Sequence, residues 1–121
     1  MVVDDDAENR EALQMLLEHC GSRITTAVDV PDALAKFEVE VPDVLLSDIG
    51  MPGEDGYDLI RRVRARSKAH GGEVPAAALT AYAEAEARQN ALRSGFMMHI
   101  PKPVNADQLV LLVSQLARMT S

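Results

Sequence analysis

Val44-Leu45-Leu46-Ser47-Asp48-Ile49-Gly50-Met51-Pro52-Gly53 is the stretch on which the reading of this fold turns. A short apolar run ends in one carboxylate and then breaks at Pro52 and Gly53. That pattern predicts a buried strand, Asp43 to Ser47, delivering Asp48 to a loop at its carboxyl end. Many strands end in an acid, so the weight of the stretch comes from its surroundings.

On its far side, beyond a loop to Gly56, Leu59, Ile60 and Val63 mark a helix whose Arg61, Arg62, Arg64 and Arg66 are expected to face solvent. Gly71-Gly72 closes that region. Val74 to Thr80 reads as a small, apolar fourth strand. Ala83 to Arg93 reads as a helix with little bulk to bury, and Phe96 to Ile100 as a fifth strand. The last helix has a core face of Leu109, Leu112, Val113, Leu116 and Ala117, which leaves Leu111 exposed.

Upstream, Met1 to Val3 reads as a very short first strand that stops at Asp4-Asp5-Asp6. Asp6 suits an N-cap, with Glu8 in the first turn where negative charge complements the helix dipole. Leu13, Leu16, Leu17 and Cys20 then recur on one helical face, and Gly21 fits a left-handed cap. Arg23 to Val28, rich in Thr, Ile and Val, reads as the second strand. Pro31 opens a second helix with Ala33, Leu34 and Phe37 inward, ended by Pro42. The order is strand and helix repeated five times, which predicts an α/β fold with a parallel sheet covered on both faces.

Composition narrows the function. At 121 residues the chain fits one domain, 1–121, with room for a core that needs no staple. A formal charge of −7 argues against nucleic acid as a partner. Cys20 is the single cysteine, so no internal disulfide forms and a reducing compartment is expected. With no apolar run of membrane-spanning length and no signal segment, a cytoplasmic location without membrane contact is the expectation. The abrupt start suggests a domain excised from a longer chain. Met97 and Met98 read as core filling.

In an open α/β sheet, ligands sit beyond the carboxyl ends of the strands. This chain sends Asp4 and Asp5 there from the first strand, Asp48 from the third, Thr80 from the fourth and Lys102 from just beyond the fifth. Singly, these are a capping cluster, a strand-end turn former and a surface charge. Together they form a constellation. Two carboxylates about 4 Å apart repel by roughly 1–4 kcal/mol, depending on the effective dielectric. Clustered acids therefore favour a divalent cation, and an all-oxygen set without His or Cys favours Mg²⁺ or Mn²⁺ over zinc. A carboxylate beside such a cation can attack phosphorus, Lys102 can neutralise a phosphoryl oxygen, and the Thr80 hydroxyl can donate to another.

Four motifs in this order, Val2-Val3-Asp4-Asp5, Asp48-Ile49-Gly50-Met51-Pro52-Gly53 with Asp55-Gly56, Ala78-Leu79-Thr80-Ala81, and Lys102-Pro103, make the chain resemble the receiver (response-regulator) domains of two-component signalling over essentially its whole length. The resemblance implies a flavodoxin-like doubly wound sheet of five strands in the order 2-1-3-4-5. It implies that Asp48 is the phosphoacceptor and that Asp5, Asp4, Asp48 and the Gly50 carbonyl hold the metal. Thr80 becomes the switch hydroxyl and Lys102 the phosphate-pairing base. A cis peptide before Pro103 is implied too.

Three residues before Lys102 the family usually carries Tyr or Phe as a rotameric switch. Here that position is His99, either a switch or simply a half-exposed strand residue. Tyr82 lies over the site in the family's arrangement, where it gates access or is merely an exposed loop residue. The implied donors are a sensor histidine kinase or a histidine phosphotransfer domain. Output would pass to a downstream effector or a fused output domain, and homodimers would form through helix four, strand five and helix five. The wording around Thr80 and Lys102 leans toward hybrid sensor kinases. Two rivals stay open: a phosphorylation-independent interaction module, and a phosphohydrolase with an aspartyl nucleophile. The second acid such hydrolases carry two residues after the nucleophile is replaced here by Gly50.

Overall fold

The computed structural model describes residues 1–19, 21, 23–51, 53–80, 85–102 and 104–118, excluding the side chains of residues 85–87. Cys20, Pro52, Ala81, Tyr82 and Pro103 therefore lie outside the described residues, and with them the gating expectation for Tyr82 and the cis peptide before Pro103.

The chain runs β1 (Val2–Val3), α1 (Ala7–His19), β2 (Thr26–Ala27), α2 (Val30–Val39), β3 (Leu45–Asp48), α3 (Gly56–Arg64), β4 (Ala76–Thr80), α4 (Ala85–Ser94), β5 (Met98–Pro101) and α5 (Ala106–Arg118), with one 3₁₀ turn at Lys68–His70. All pairings are parallel, in the order β2-β1-β3-β4-β5. The chain therefore has the flavodoxin-like α/β fold expected of it.

Alternation along each strand divides the core in two. Val3, Leu45, Ala76 and Ala78 point to one face, where Ala33 and Phe37 of α2, Leu59, Ile60 and Val63 of α3, and Ala91 of α4 cover them. Val2, Leu46, Ala77, Leu79 and Ile100 point to the other, under Leu13 and Leu17 of α1 and Leu109 and Leu116 of α5. All of β3 and β4 is buried.

Helix starts follow capping chemistry. Asp6 accepts from the backbone N–H of Glu8 at 2.9 Å and of Asn9 at 3.3 Å at the start of α1. Asp29 caps α2 by accepting from Asp32 N–H at 2.8 Å, and Asp55 and Asp58 form a reciprocal capping box on α3.

Several sequence expectations are corrected. The second strand is only Thr26–Ala27, because its one neighbour, β1, offers two residues to pair with. Arg64 does not face solvent. It reaches back across the end of α3, donating from Nε to the Gly95 carbonyl (2.9 Å) and from one terminal nitrogen to those of Val74 (2.6 Å) and Gly72 (3.2 Å). Burial lowers its pKa from the ordinary guanidinium value. Arg66 lies over the Phe37 ring, 5.3 Å from its centroid, and donates to Glu38. Met97 and Ala117 are exposed, whereas Met98 packs against the α1/α5 core. Leu111 is exposed, as its position off the helix face predicts.

Candidate phosphoryl and metal site

At the carboxyl ends of β1, β3 and β4 the structure brings together Asp4, Asp5, Asp48 and Thr80, with Lys102 following β5. Asp4 is fully buried, Asp48 and Thr80 nearly so, and Asp5 is exposed. One carboxylate oxygen from each of Asp4, Asp5 and Asp48 lies within 4.8 Å of the others. Lys102 Nζ stands 3.3 Å from Asp48 Oδ1 and 3.5 Å from Asp4 Oδ2, so one ammonium faces two of the three acids.

Each member is placed by backbone it shares with its neighbours. Asp4 N–H donates to the Ala27 carbonyl (3.1 Å), and the Arg10 guanidinium donates to the Asp4 carbonyl (2.9 Å), fixing the turn into α1. Ile49 N–H donates to the Leu79 carbonyl (3.1 Å), continuing the β3–β4 ladder past Asp48. The Ile49 carbonyl then accepts from Met51 N–H and Gly56 N–H, folding the loop back on itself. Lys102 N–H donates to the Thr80 carbonyl at 2.7 Å, so the switch-hydroxyl candidate and the lysine are tied through one peptide.

Gly56 matters here for a reason that local sequence does not disclose. A Cβ at that position would lie 2.4 Å from the Asp48 carbonyl oxygen and 2.9 Å from the Ile49 Cα. Only glycine lets α3 start against the strand that presents Asp48. At Gly50, by contrast, a Cβ would meet nothing within 4 Å. Gly50 N–H approaches Asp48 Oδ1 at 3.4 Å.

The electrostatics are unbalanced. Burial raises the Asp4 pKa most strongly; the Asp6 N–H bonded to its Oδ1 (2.9 Å) and Lys102 oppose this, while Asp48 and Asp5 add to it. Asp4 Oδ2 is buried and accepts no hydrogen bond among the described residues, although Lys102 is within ion-pair range. A buried carboxylate oxygen without a donor is costly, and a hard cation is the usual remedy. The all-oxygen donor set, the clustering and this orphaned oxygen fit a hard divalent cation such as Mg²⁺.

His99 sits on β5 in register with Ala78, half-buried. With Arg88, Leu92, Met97, Met98 and Leu112 it lines an open groove among α4, β5 and α5.

Fold, acid cluster and lysine together define a receiver-type α/β domain. Residues 1–114 match the response regulator receiver domain family, and the chain belongs to it. It is a receiver domain of the kind used in two-component signalling. An uncharacterized 14.6 kDa protein of Leptolyngbya boryana is 48% identical over 95% of this chain and 86% of its own length. The DNA-binding transcriptional regulator NtrC of Salmonella typhimurium is 36% identical, and the sensor histidine kinase RcsC of Salmonella typhi 39%. The match covers 94% and 90% of this chain but only 24% and 11% of those two proteins. Among solved structures, a putative response regulator from Chloroflexus aurantiacus superposes with a TM-score of 0.91 at 30% identity, over 97% of this chain and 94% of its own. Receiver relatives thus occur both in a DNA-binding regulator and in a sensor kinase. No helix among the described residues is long and apolar enough to cross a membrane.

Proposed function

We propose that Asp48 accepts a phosphoryl group from a phosphohistidine on a sensor histidine kinase or phosphotransfer domain, and that the modified domain acts as a signalling switch. The observation that carries this reading is the position of Lys102 Nζ, 3.3 Å from the Asp48 carboxylate inside a cluster of three acids. In the transfer, an Asp48 carboxylate oxygen bonds to phosphorus as the P–N bond breaks. The electron pair returns to the imidazole nitrogen, which takes a proton from solvent. Asp5, Asp4, Asp48 and the Gly50 carbonyl would hold Mg²⁺, or Mn²⁺ in its place. Such a cation, when bound, offsets the charge of the acids and of the phosphoryl oxygens.

The rest is done by the chain itself. Lys102 faces the oxygen that Asp48 presents and pairs with the incoming phosphate, and Thr80 supplies a hydroxyl donor from the next strand. Burial of Asp48 limits water around the acyl phosphate, and the family's arrangement adds Tyr82 as a gate. Movement of Thr80 and His99 toward the phosphate then reshapes the α4–β5–α5 face, a local charge event that biases a two-state element. That face would meet a downstream effector, a fused output domain or a second copy. Incubation with Mg²⁺ and acetyl phosphate tests the proposal. The expected result is one phosphoryl adduct by mass, absent from Asp48→Asn. An adduct that survives in Asp48→Asn, or none in either protein, overturns it.

A further inference from the structure

The cations of this acidic chain are not spread evenly. Arg61, Arg62, Arg64, Arg66, Lys68, Arg88 and Arg93, seven of the twelve, fall between residues 61 and 93, where only three of the nineteen acids lie. Most are already engaged: Arg64 and Arg66 as described, Arg62 with Glu54 at 2.6 Å, and Lys68 with Glu73 at 3.7 Å. Among the described residues Arg61 has only an exposed pair with Asp58 at 3.5 Å, of the kind that contributes little. Arg93 makes no ion pair among the described residues.

Arg61 and Arg93 both line a groove between α3 and α4, of about 440 Å³, whose lining among the described residues also includes Tyr57, Asn90 and Ser94. Helical spacing aligns them: Tyr57 and Arg61 are four apart on α3, and Asn90, Arg93 and Ser94 lie on one face of α4. Among the described lining residues every side chain can donate a hydrogen bond, and none is an acid. Burial, with Asp55 adding to it, raises the Tyr57 pKa, so its hydroxyl stays a donor at neutral pH. The cavity at the amino ends of the strands differs: Arg23 there is matched by Glu40 and Asp43.

We infer that the α3–α4 groove is a docking site for an acidic polypeptide segment of a partner protein, whose carboxylates pair with Arg61 and Arg93. Two features select this occupant. Small-molecule sites are mostly apolar and enclose their ligand, whereas this groove is polar and its two arginines are exposed. Two guanidinium groups on separate helices also match carboxylates spaced along a chain better than one compact anion. The net charge of −7 repels acidic partners generally, so a local donor-lined groove confers orientation on the encounter. The groove lies outside the acid cluster and does not depend on the phosphoryl-transfer reading.

The test uses the whole chain, a fluorescein-labelled hexaglutamate peptide as probe, and pyrophosphate as competitor. Saturable binding is expected at low salt, with amide shifts at Arg61, Asn90 and Arg93 in ¹⁵N spectra. Affinity should drop about tenfold in Arg61→Ala/Arg93→Ala and less than about twofold in Lys68→Ala, an exposed cation outside the groove. Thermal melts of both variants report that the fold is kept. Absence of saturable binding overturns the inference. So does equal weakening in Lys68→Ala, which means diffuse charge attraction, and so does pyrophosphate binding the groove more tightly than the peptide, which means a small-anion site.

Discussion

The two edges of the sheet carry charge in opposite ways. At the amino ends of the strands, Arg23 pairs with Glu40 at the rim of a cavity of about 270 Å³, and both side chains are largely exposed. At the carboxyl ends, three acids cluster and two of them face one ammonium, and the most enclosed, Asp4, has an oxygen that no donor among the described residues satisfies. Balanced, solvated charge adds little to stability and can be lost cheaply. Unbalanced, buried charge costs stability wherever it is kept without a ligand. The carboxyl edge is thus a place where this fold gives up stability, and the acids there are arranged for something other than holding the sheet together.

The sharpest way to break that contrast is steric. Gly56→Ala forces a Cβ onto the Asp48 carbonyl, and a cost of about 3 kcal/mol is expected from such overpacking. Urea unfolding should show it, alongside a near-neutral Gly50→Ala, whose Cβ meets nothing. Next comes Lys102→Met, which leaves Asp4 and Asp48 facing each other without their cation. A loss of about 2 kcal/mol is expected, and adding Mg²⁺ should recover more of it than in the unaltered chain. Equal Mg²⁺ effects in both would mean that the acids do not share a cation.

Asp32 gives a smaller, pH-dependent effect. Its carboxylate accepts from Val28 N–H at 3.0 Å and lies 3.3 Å from Lys36 Nζ, and these partners, the backbone bond foremost, lower its pKa. A lowered folded-state pKa means the contribution is present above the unfolded value of about 3.9 and disappears as pH falls through the folded value. Asp32→Asn should therefore melt lower than the unaltered chain at pH 7, with the gap closing in acid. The least effect belongs to the amino edge: Arg23→Ala should change stability by about 0.5 kcal/mol or less. A larger loss there would erase the distinction between the edges.

Most of the carboxyl edge is legible in the amino-acid sequence alone. Asp4, Asp5, Asp48, Thr80 and Lys102 each follow a short apolar run, and a parallel sheet gathers such strand ends on one side. Period and polarity carry that much. They do not carry partners. Arg64 sits among other arginines on a helix and reads as one more solvated charge, because nothing local shows that three carbonyls lie within its reach. The length of β2 is equally hidden, since a strand extends only as far as its neighbour pairs with it. Gly56 looks like ordinary loop punctuation; the requirement for it comes from the Asp48 carbonyl, eight residues earlier. Met97, next to Met98, alternates outward on β5's approach, which the run Phe96 to Ile100 does not disclose.

The sheet's outer strands bear on how the domain behaves in a crowd. An open sheet normally leaves two rows of unpaired backbone groups on which a foreign strand can grow. Here one outer strand is two residues long, and the other ends at Pro101, which has no N–H to offer. Neither side presents a template of useful length. Such a unit can be fused into larger polypeptides, or accumulate to high concentration, with little tendency to seed fibrils through its flanks.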